Sequence, residues 1–189
     1  GYDWFAAATT DLRRNYIATG STFSTNCPVT TDAYQSSLSG SSDAIIVKFD
    51  SSGRRLWSTY FGGSDATNSN WEWGYTIASA RNAFYVFGST YSTDFPVTSG
   101  AYQTTNHGYW DVFVSKFCDI NPGISVNGPT TICPGDSVVL TAQAGYDSYR
   151  WSTGAVSPSI AVKQSGNYFV TATLGTCSGR SDTIHVTVY

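Results

Sequence analysis

Short apolar runs, in which hydrophobic and polar residues largely alternate, recur along the chain between turns rich in Gly, Ser and Asn. A two-residue period over such short runs is typical of half-buried β-strands. The turn at residues 50–53, which ends in Gly, lies between two of these runs and predicts a β-hairpin. Strands are predicted at residues 5–9, 15–20, 43–49, 56–61, 74–80, 84–89, 111–117, 137–142, 148–153, 159–164, 167–173 and 182–188.

The composition agrees with this pattern. Tyr, Phe and Trp make up 15% of the 189 residues, charged residues make up only 12%, and Met is absent. Aromatic and β-branched side chains suit a pleated surface, whereas good helix formers are scarce here. We therefore expect an all-β protein, with enough hydrophobic residues for one large or two small domains.

Charge and hydropathy exclude two classes of partner. The net charge of −3 leaves no basic face for a phosphate backbone, so we expect no nucleic acid partner. No apolar run approaches the roughly 18 residues that a membrane span requires. The first residues also lack the basic region of a signal peptide, and we interpret the chain as a fragment of a longer protein.

A long internal repeat sets the expected organisation of the first two thirds of the chain. STFSTNCPVTTDAYQ at residues 21–35 returns as STYSTDFPVTSGAYQ at residues 89–103. Residues 16–50 and 84–118 align without a gap and share 15 identities in 35 positions. A fixed period of this kind indicates stacked copies of one supersecondary unit. Each unit is predicted to hold four short antiparallel strands, with a two-residue difference in the turn after the first strand.

The motifs of this repeat resemble the bacterial SBBP repeat, a β-propeller repeat of large secreted proteins. The FPVT, AYQ, D-x-F-V-x-K-F and W-S-T-Y-F-G-G elements carry the resemblance, although Cys27 stands where the second copy has Phe95. The resemblance implies a partial propeller of about two blades at residues 1–118. Blade 1 spans about 1–62, and blade 2 spans about 71–118 and lacks its fourth strand.

Two blades, one of them incomplete, cannot close a ring, and they leave strand edges and apolar faces open. We expect additional propeller blades to cover them, either from the same parent chain or from neighbouring subunits.

The sequence changes character after Cys118. Residues 119–123 are predicted to be a linker, and the evenly spaced short strands of residues 124–189 indicate a β-sandwich. This segment resembles the immunoglobulin-like or PKD-like modules of secreted surface proteins of Bacteroidota. The resemblance implies that Trp151 lies in the core and that Ala142 and Val170 occupy the positions of the two core cysteines of an antibody domain.

The chain has four cysteines, and their even number suits an oxidising, extracellular setting. Three pairings are open, and buried free thiols are the alternative. The resemblance to immunoglobulin-like modules implies the pair Cys133–Cys177, which leaves Cys27–Cys118. Strict immunoglobulin topology places Cys133 and Cys177 toward opposite ends of the sandwich, whereas a disulfide needs Cα atoms within about 7 Å.

The sequence shows no catalytic constellation, and we expect a protein that is not an enzyme. His107 lies in a variable loop and His185 in the last predicted strand, and no nucleophile motif accompanies either of them. Asp43 and Asp111 recur in both copies. Because each begins a strand, we expect them to accept hydrogen bonds from nearby backbone N–H groups.

No metal site is predicted and no cofactor is expected. The loop that connects the two copies nevertheless carries four oxygen donors, and calcium binding there stays an open alternative, although the spacing is not that of an EF-hand. These donors are Asp65, Asn68, Asn70 and Glu72.

Four aromatic residues are candidate ligand-binding residues, because they lie in segments where the two copies diverge rather than at repeat-matched strand positions, as Trp57 does. Such rings present flat faces to sugars or to protein surfaces, and packing against a neighbouring blade is the alternative. The four are Trp71, Trp73, Tyr109 and Trp110.

Taken with the resemblances, these features predict a non-catalytic segment of a large secreted or cell-surface bacterial protein that acts as a structural scaffold and adhesion surface. The resemblance further implies type IX secretion in Bacteroidota. Two alternatives remain, a lectin-like carbohydrate-binding module and an accessory region of a secreted enzyme. The expected binding partners are glycans or cell-surface proteins.

Overall fold

A computed structural model of the chain describes residues 1–64 and 71–189. Within these ranges the chain forms sixteen strands and no helix, so the all-β prediction is confirmed. The described residues therefore contain no helix that could span a membrane. The chain divides into two compact units, Gly1–Phe117 and Cys118–Tyr189.

The first unit contains seven strands in two sheets. Hydrogen bonds order the first sheet β1-β2-β3-β4 and the second β5-β6-β7. The predicted strands are all present, and the predicted hairpin connects β3 and β4. The strands are β1 (Asp3–Thr10), β2 (Tyr16–Thr22), β3 (Asp43–Phe49), β4 (Arg55–Phe61), β5 (Glu72–Ala80), β6 (Ala83–Thr90) and β7 (Asp111–Cys118).

The two sheets repeat each other in register as well as in sequence. Asp3 pairs with Thr22 in the first sheet, as Glu72 pairs with Thr90 in the second. Both first strands then carry a bulge, two residues farther along. Thus β1 and β5 are equivalent at an offset of 69 while β2 and β6 are equivalent at 68. The predicted two-residue difference in the following turn is wrong, and the difference is one residue.

Two glycines at the same repeat position allow the first and second strands to approach each other at these bulges. A Cβ atom on Gly20 would lie 1.9 Å from the carbonyl oxygen of Trp4, and one on Gly88 would lie 2.1 Å from that of Trp73. No side chain fits at such distances.

An aromatic and aliphatic core joins the two sheets. It contains Ile46 and Phe61 from the first sheet, and Phe84 and Phe113 from the second. Trp57 packs against this core. The rings of Phe84 and Phe117 stack with their centroids 5.3 Å apart. Burial of these side chains supplies the main favourable free energy for folding this unit.

The second sheet has an open face that the first sheet does not have. Ala44 and Ile46 on β3 are fully buried, whereas their repeat equivalents on β7, Val112 and Val114, are 87% and 62% exposed. Strand β7 is also bonded only to β6 among the described strands, because the second sheet has no equivalent of β4.

The second unit contains three small sheets around one core. The hydrogen-bonded orders are β12-β10-β8, β11-β14-β15 and β13-β16-β9. The strands are β8 (Ile124–Asn127), β9 (Thr131–Ile132), β10 (Val138–Ala142), β11 (Ser148–Trp151), β12 (Ser159–Val162), β13 (Gly166–Tyr168), β14 (Val170–Leu174), β15 (Cys177–Arg180) and β16 (Ile184–Val188).

Trp151 lies in the core of this unit, as predicted, and is only 2% exposed. Its indole N–H donates to the carbonyl oxygen of Ser157 at 2.9 Å, so this buried polar group has a hydrogen-bond partner. Ala142 and Val170 are buried in the same core.

The last four strands form one long hairpin with an interruption. β13 and β14 run against β16 and β15, and the register slips by one residue between the two halves. At the slip, the Ser181 hydroxyl accepts a hydrogen bond from the buried Val170 N–H at 3.0 Å. This side chain replaces the ladder partner that the interruption removes.

The residues predicted to be a linker are part of the second unit. Ile120 is only 7% exposed, and a Cβ atom on Gly179 would lie 1.8 Å from its carbonyl oxygen. The segment is packed because its backbone lies directly against β15.

The predicted disulfide pairs are wrong. Cys118 is bonded to Cys177, with Cα atoms 5.3 Å apart, while Cys27 and Cys133 are free. Cys118 is the last residue of β7 and the first residue of the second unit, and it lies beside Cys177 at the start of β15.

Candidate functional site

Eight aromatic side chains of the first unit form one connected surface cluster, which we call the aromatic surface. Neighbouring rings in it have centroids 5.4–6.4 Å apart. Its members are Trp4, Phe23, Trp71, Trp73, Tyr75, Tyr91, Tyr109 and Trp110.

Three tryptophans form its centre. Trp71 and Trp73 are nearly parallel, with an interplanar angle of 7° and centroids 6.1 Å apart. Trp110 is inclined to Trp73 by 49° at 5.4 Å. Trp71 and Trp110 remain 39% and 43% exposed, so part of each ring is open to a ligand.

Backbone pairing fixes the central rings. Trp73 lies on β5 opposite Ser89, and Trp71 forms a parallel bridge with Ser42 just before β3. The backbone N–H of Glu72, between the two tryptophans, donates to the Ser42 carbonyl oxygen at 3.2 Å. The aromatic surface is therefore built where the two sheets meet.

A tight turn presents Tyr109. The Asn106 side chain accepts a hydrogen bond from the Gly108 N–H at 2.6 Å, and Asp111 accepts one from the His107 N–H. Tyr109 has a φ of 60°, which is uncommon for a bulky residue, and its side chain is 79% exposed. The turn holds an aromatic ring toward solvent at a cost in backbone strain.

The structure brings all four sequence-predicted residues, Trp71, Trp73, Tyr109 and Trp110, into this one cluster. The sequence reasoning missed Trp4, Phe23, Tyr75 and Tyr91. A signal for two of them exists, because Trp4 matches Trp73 at the offset of 69, and Phe23 matches Tyr91 at 68. Trp73 is thus a repeat-matched strand residue, contrary to its assignment to a divergent segment.

Polar atoms at the aromatic surface are few. The Tyr75 hydroxyl accepts a hydrogen bond from the Ser89 hydroxyl at 2.9 Å. The Trp73 indole N–H is buried and has no hydrogen-bond partner among the described residues. The arrangement suits contact with flat apolar faces, such as those of sugar rings or aromatic side chains.

The two recurring aspartates accept hydrogen bonds at the start of a strand, as predicted. Asp43 accepts from the Ser39 N–H at 2.8 Å and from the Gln35 side chain at 2.6 Å. Asp111 accepts in the same way from His107 and from Gln103. The two copies therefore share this loop-to-strand contact.

The other candidate residues stay apart from the aromatic surface or outside the described residues. His185 on β16 forms a hydrogen bond with Asn167. His107 donates its backbone N–H to Asp111. Asp65, Asn68 and Asn70 lie outside the described residues. Among residues 1–64 and 71–189, no group of three or more His, Cys, Asp or Glu side chains is arranged to hold a metal ion.

Comparison with models of known protein families finds none that matches the chain, and comparison with curated proteins finds no match either. Among solved structures, the crystal structure of murine CEACAM1b aligns over 100% of both chains, at 11% sequence identity and a TM-score of 0.31. A TM-score of this size does not establish a shared fold, so this likeness carries no argument about function.

Proposed function

We propose that the chain is a non-catalytic segment of a secreted or cell-surface bacterial protein and that it acts as a scaffold and an adhesion surface. In this proposal the first unit is two blades of a β-propeller and the second unit is an immunoglobulin-like sandwich. The matched registers of the two sheets support the first assignment. The position of Trp151 in one core with Ala142 and Val170 supports the second.

The aromatic surface is the observation that carries the adhesive role. Large rings are enriched in binding sites, where they bury much apolar area at a low cost in side-chain entropy. Trp71, Tyr109 and Trp110 expose their rings on one side of the first unit. The disulfide between Cys118 and Cys177 supports a location outside the cytoplasm, because such bonds persist in oxidising compartments.

Carbohydrate binding is the second candidate function. The partly exposed rings of Trp71 and Trp110 favour it, because a sugar ring stacks on a flat aromatic face. A protein partner would use the same rings as anchors in a larger apolar contact.

The double variant Trp71→Ala/Trp110→Ala is expected to lose binding to a glycan array, or to intact cells, by about 30-fold or more, since one anchor residue contributes about 2 kcal/mol. Tyr102→Ala is the matched control, because Tyr102 is fully exposed and lies outside the aromatic surface. Cell binding that persists after enzymatic removal of glycans assigns a protein partner, and loss of binding assigns carbohydrate. Equal binding by the double variant and the wild type would contradict the adhesive role.

The open face of β6 and β7 is the proposed site for a further propeller blade. Phe87, Val112 and Val114 lie at the repeat positions where Thr19, Ala44 and Ile46 of the first sheet are buried. In the first sheet, it is the second sheet that covers these positions. A following blade, from the parent chain or from a neighbouring subunit, would cover them in the same way.

The chain by itself is therefore expected to self-associate through this face, and Val112→Lys/Val114→Lys is expected to remain monomeric at the same concentration. Sedimentation velocity over a range of concentrations measures the difference. Ile46→Lys, at the repeat position equivalent to Val114, is the control and should unfold the first unit because it buries an unpaired charge. A wild-type chain that stays monomeric at all concentrations would argue against an open blade face.

A further inference from the structure

Two carboxyl groups at the joint between the two sheets each have one buried oxygen without a partner. Asp43 and Glu72 are both fully buried, at the starts of β3 and β5. Asp43 Oδ2 accepts its hydrogen bonds from Gln35 and Ser39, and Glu72 Oε1 accepts from Thr90 and Ser92. Asp43 Oδ1 has no hydrogen-bond partner within the described residues, and Glu72 Oε2 has none of good geometry there, although the backbone N–H of Gly63 lies close enough to the Glu72 carboxyl group to favour its charged form.

The two unpartnered oxygens face the same point. A Cβ atom placed on Gly62 would lie 2.1 Å from Asp43 Oδ1 and 2.9 Å from Glu72 Oε2, so these oxygens are no more than 5 Å apart. Gly62 has to be a glycine here because any side chain would displace the carboxyl groups.

No positive charge in the described part of the chain compensates this pair. The ion pairs of the first unit join Lys48 to Asp11 and Arg54 to Asp50, away from Asp43 and Glu72. The other titratable groups packed around the pair are uncharged or acidic. They are Tyr60 on β4, which interacts electrostatically with Asp43, Cys27 beside the Tyr60 hydroxyl, and Asp94 beside Gly63.

Two buried carboxylates that face each other cannot both be ionised without a large cost. Burial, and then the nearby charge of Glu72, raise the pKa of Asp43 to about 7. Burial also raises the pKa of Glu72, against the hydrogen bonds from Ser92 and Thr90. The geometry and the charges therefore point in the same direction.

We propose that Asp43 and Glu72 share one proton in the folded protein, so that the joint between the two sheets is a pH-sensitive contact. The retained proton leaves one of the two carboxyl groups uncharged, so only one negative charge lies at the joint. Its loss places two negative charges between β3 and β5 and favours separation of the sheets at this edge.

The sign of the pH dependence follows from the raised pKa values. Both groups hold protons more tightly in the folded state than in the unfolded state, so their contribution to stability is complete below about pH 4. The contribution of Asp43 is lost as the pH rises through its folded-state pKa of about 7, and that of Glu72 is lost as the pH rises through its own raised pKa. We expect the equilibrium constant for unfolding of the first unit to rise about 100-fold or more between pH 4 and pH 8 because of this pair.

Asp43→Asn and Glu72→Gln test this directly in the full chain. Each amide keeps an oxygen for the existing hydrogen bonds and places an N–H₂ group at the unpartnered position, facing the remaining carboxylate. Both single variants should lose most of the pH dependence of unfolding. Asp111→Asn is the matched control, because Asp111 accepts the same two hydrogen bonds but the first unit has no third repeat to place an acid against it. The control should keep the wild-type pH dependence.

Two further measurements decide the proposal if a variant fails to fold. Infrared spectra of the wild type should show a protonated carboxyl group at pH 6 that is lost in Asp43→Asn or on titration above pH 8. The double variant Asp43→Asn/Glu72→Gln should be less stable at pH 8 than either single variant, since two N–H₂ groups then face each other. A wild-type chain whose stability is unchanged from pH 4 to pH 8 overturns the proposal. So does millimolar Ca²⁺ that stabilises the wild type at pH 8 but not the variants, because a cation would then replace the proton.

Discussion

Replacing Lys48 by Met is expected to lower the free energy of unfolding of the first unit by about 3–5 kcal/mol. Lys48 Nζ lies 2.8 Å from Asp11 Oδ2, and both side chains are only 8% exposed. Burial opposes ionisation of Asp11, but hydrogen bonds from Lys48 and Asn15 outweigh it and hold the pKa of Asp11 at about 2. Removal of Lys48 leaves a largely buried carboxylate without its counter-charge, and urea denaturation monitored by tryptophan fluorescence measures the loss.

Lys116→Met is the matched control, because Lys116 has the same repeat position on β7 but is exposed. Its replacement should change stability by less than about 0.5 kcal/mol. The pH dependence gives a second check. Since the pKa of Asp11 is lowered on folding, the pair stabilises the fold above about pH 4 and loses its effect as the pH falls through 2. Equal effects of the two lysine replacements would contradict the role of the ion pair.

Removing the disulfide with Cys118→Ala/Cys177→Ala is expected to destabilise the second unit by about 4 kcal/mol. The bond joins residues separated by 59 positions. Closing a loop of that length lowers the conformational entropy of the unfolded state, which raises its free energy by about 4 kcal/mol. Thermal unfolding of the oxidised chain, followed by circular dichroism, provides the comparison.

Cys27→Ala/Cys133→Ala serves as the control, because both thiols are free, and it should leave the transition of the second unit unchanged. Mass spectrometry of unreduced peptides should recover Cys118 linked to Cys177. Recovery of a peptide that links Cys133 to Cys177 would contradict the bond between Cys118 and Cys177.

The repeat made the strands of the first unit predictable, because identity at a constant offset marks equivalent backbone positions. At β1 the offset was misjudged by one residue, because a two-residue difference was assigned to the following turn, and the equivalence of Trp4 with Trp73 and of Asp3 with Glu72 was missed. Only pairing with β2 and β6 reveals it. The aromatic surface was therefore found only in part.

Features that depend on the tertiary arrangement were beyond the sequence pattern. Cys118 was assigned to the first domain, and its pairing with Cys177, one of the three open pairings, was passed over for the pair that the resemblance implies. Glu72 was treated as one oxygen donor in a polar loop, although it begins β5 and is fully buried. A lone glutamate beside two tryptophans gives no sign of such burial, which arises because β5 packs against the start of β3.

The position of the disulfide determines how the second unit would carry mechanical load. Tension applied between the first unit and Tyr189 reaches Cys118, passes through the sulfur–sulfur bond to Cys177, and continues along residues 178–189. Residues 119–176 form a loop that the disulfide closes, so this loop does not carry the tension. The core around Trp151 can therefore lose its packing under force without the chain becoming longer by the length of the loop. The disulfide thus limits the extension of a tethered protein.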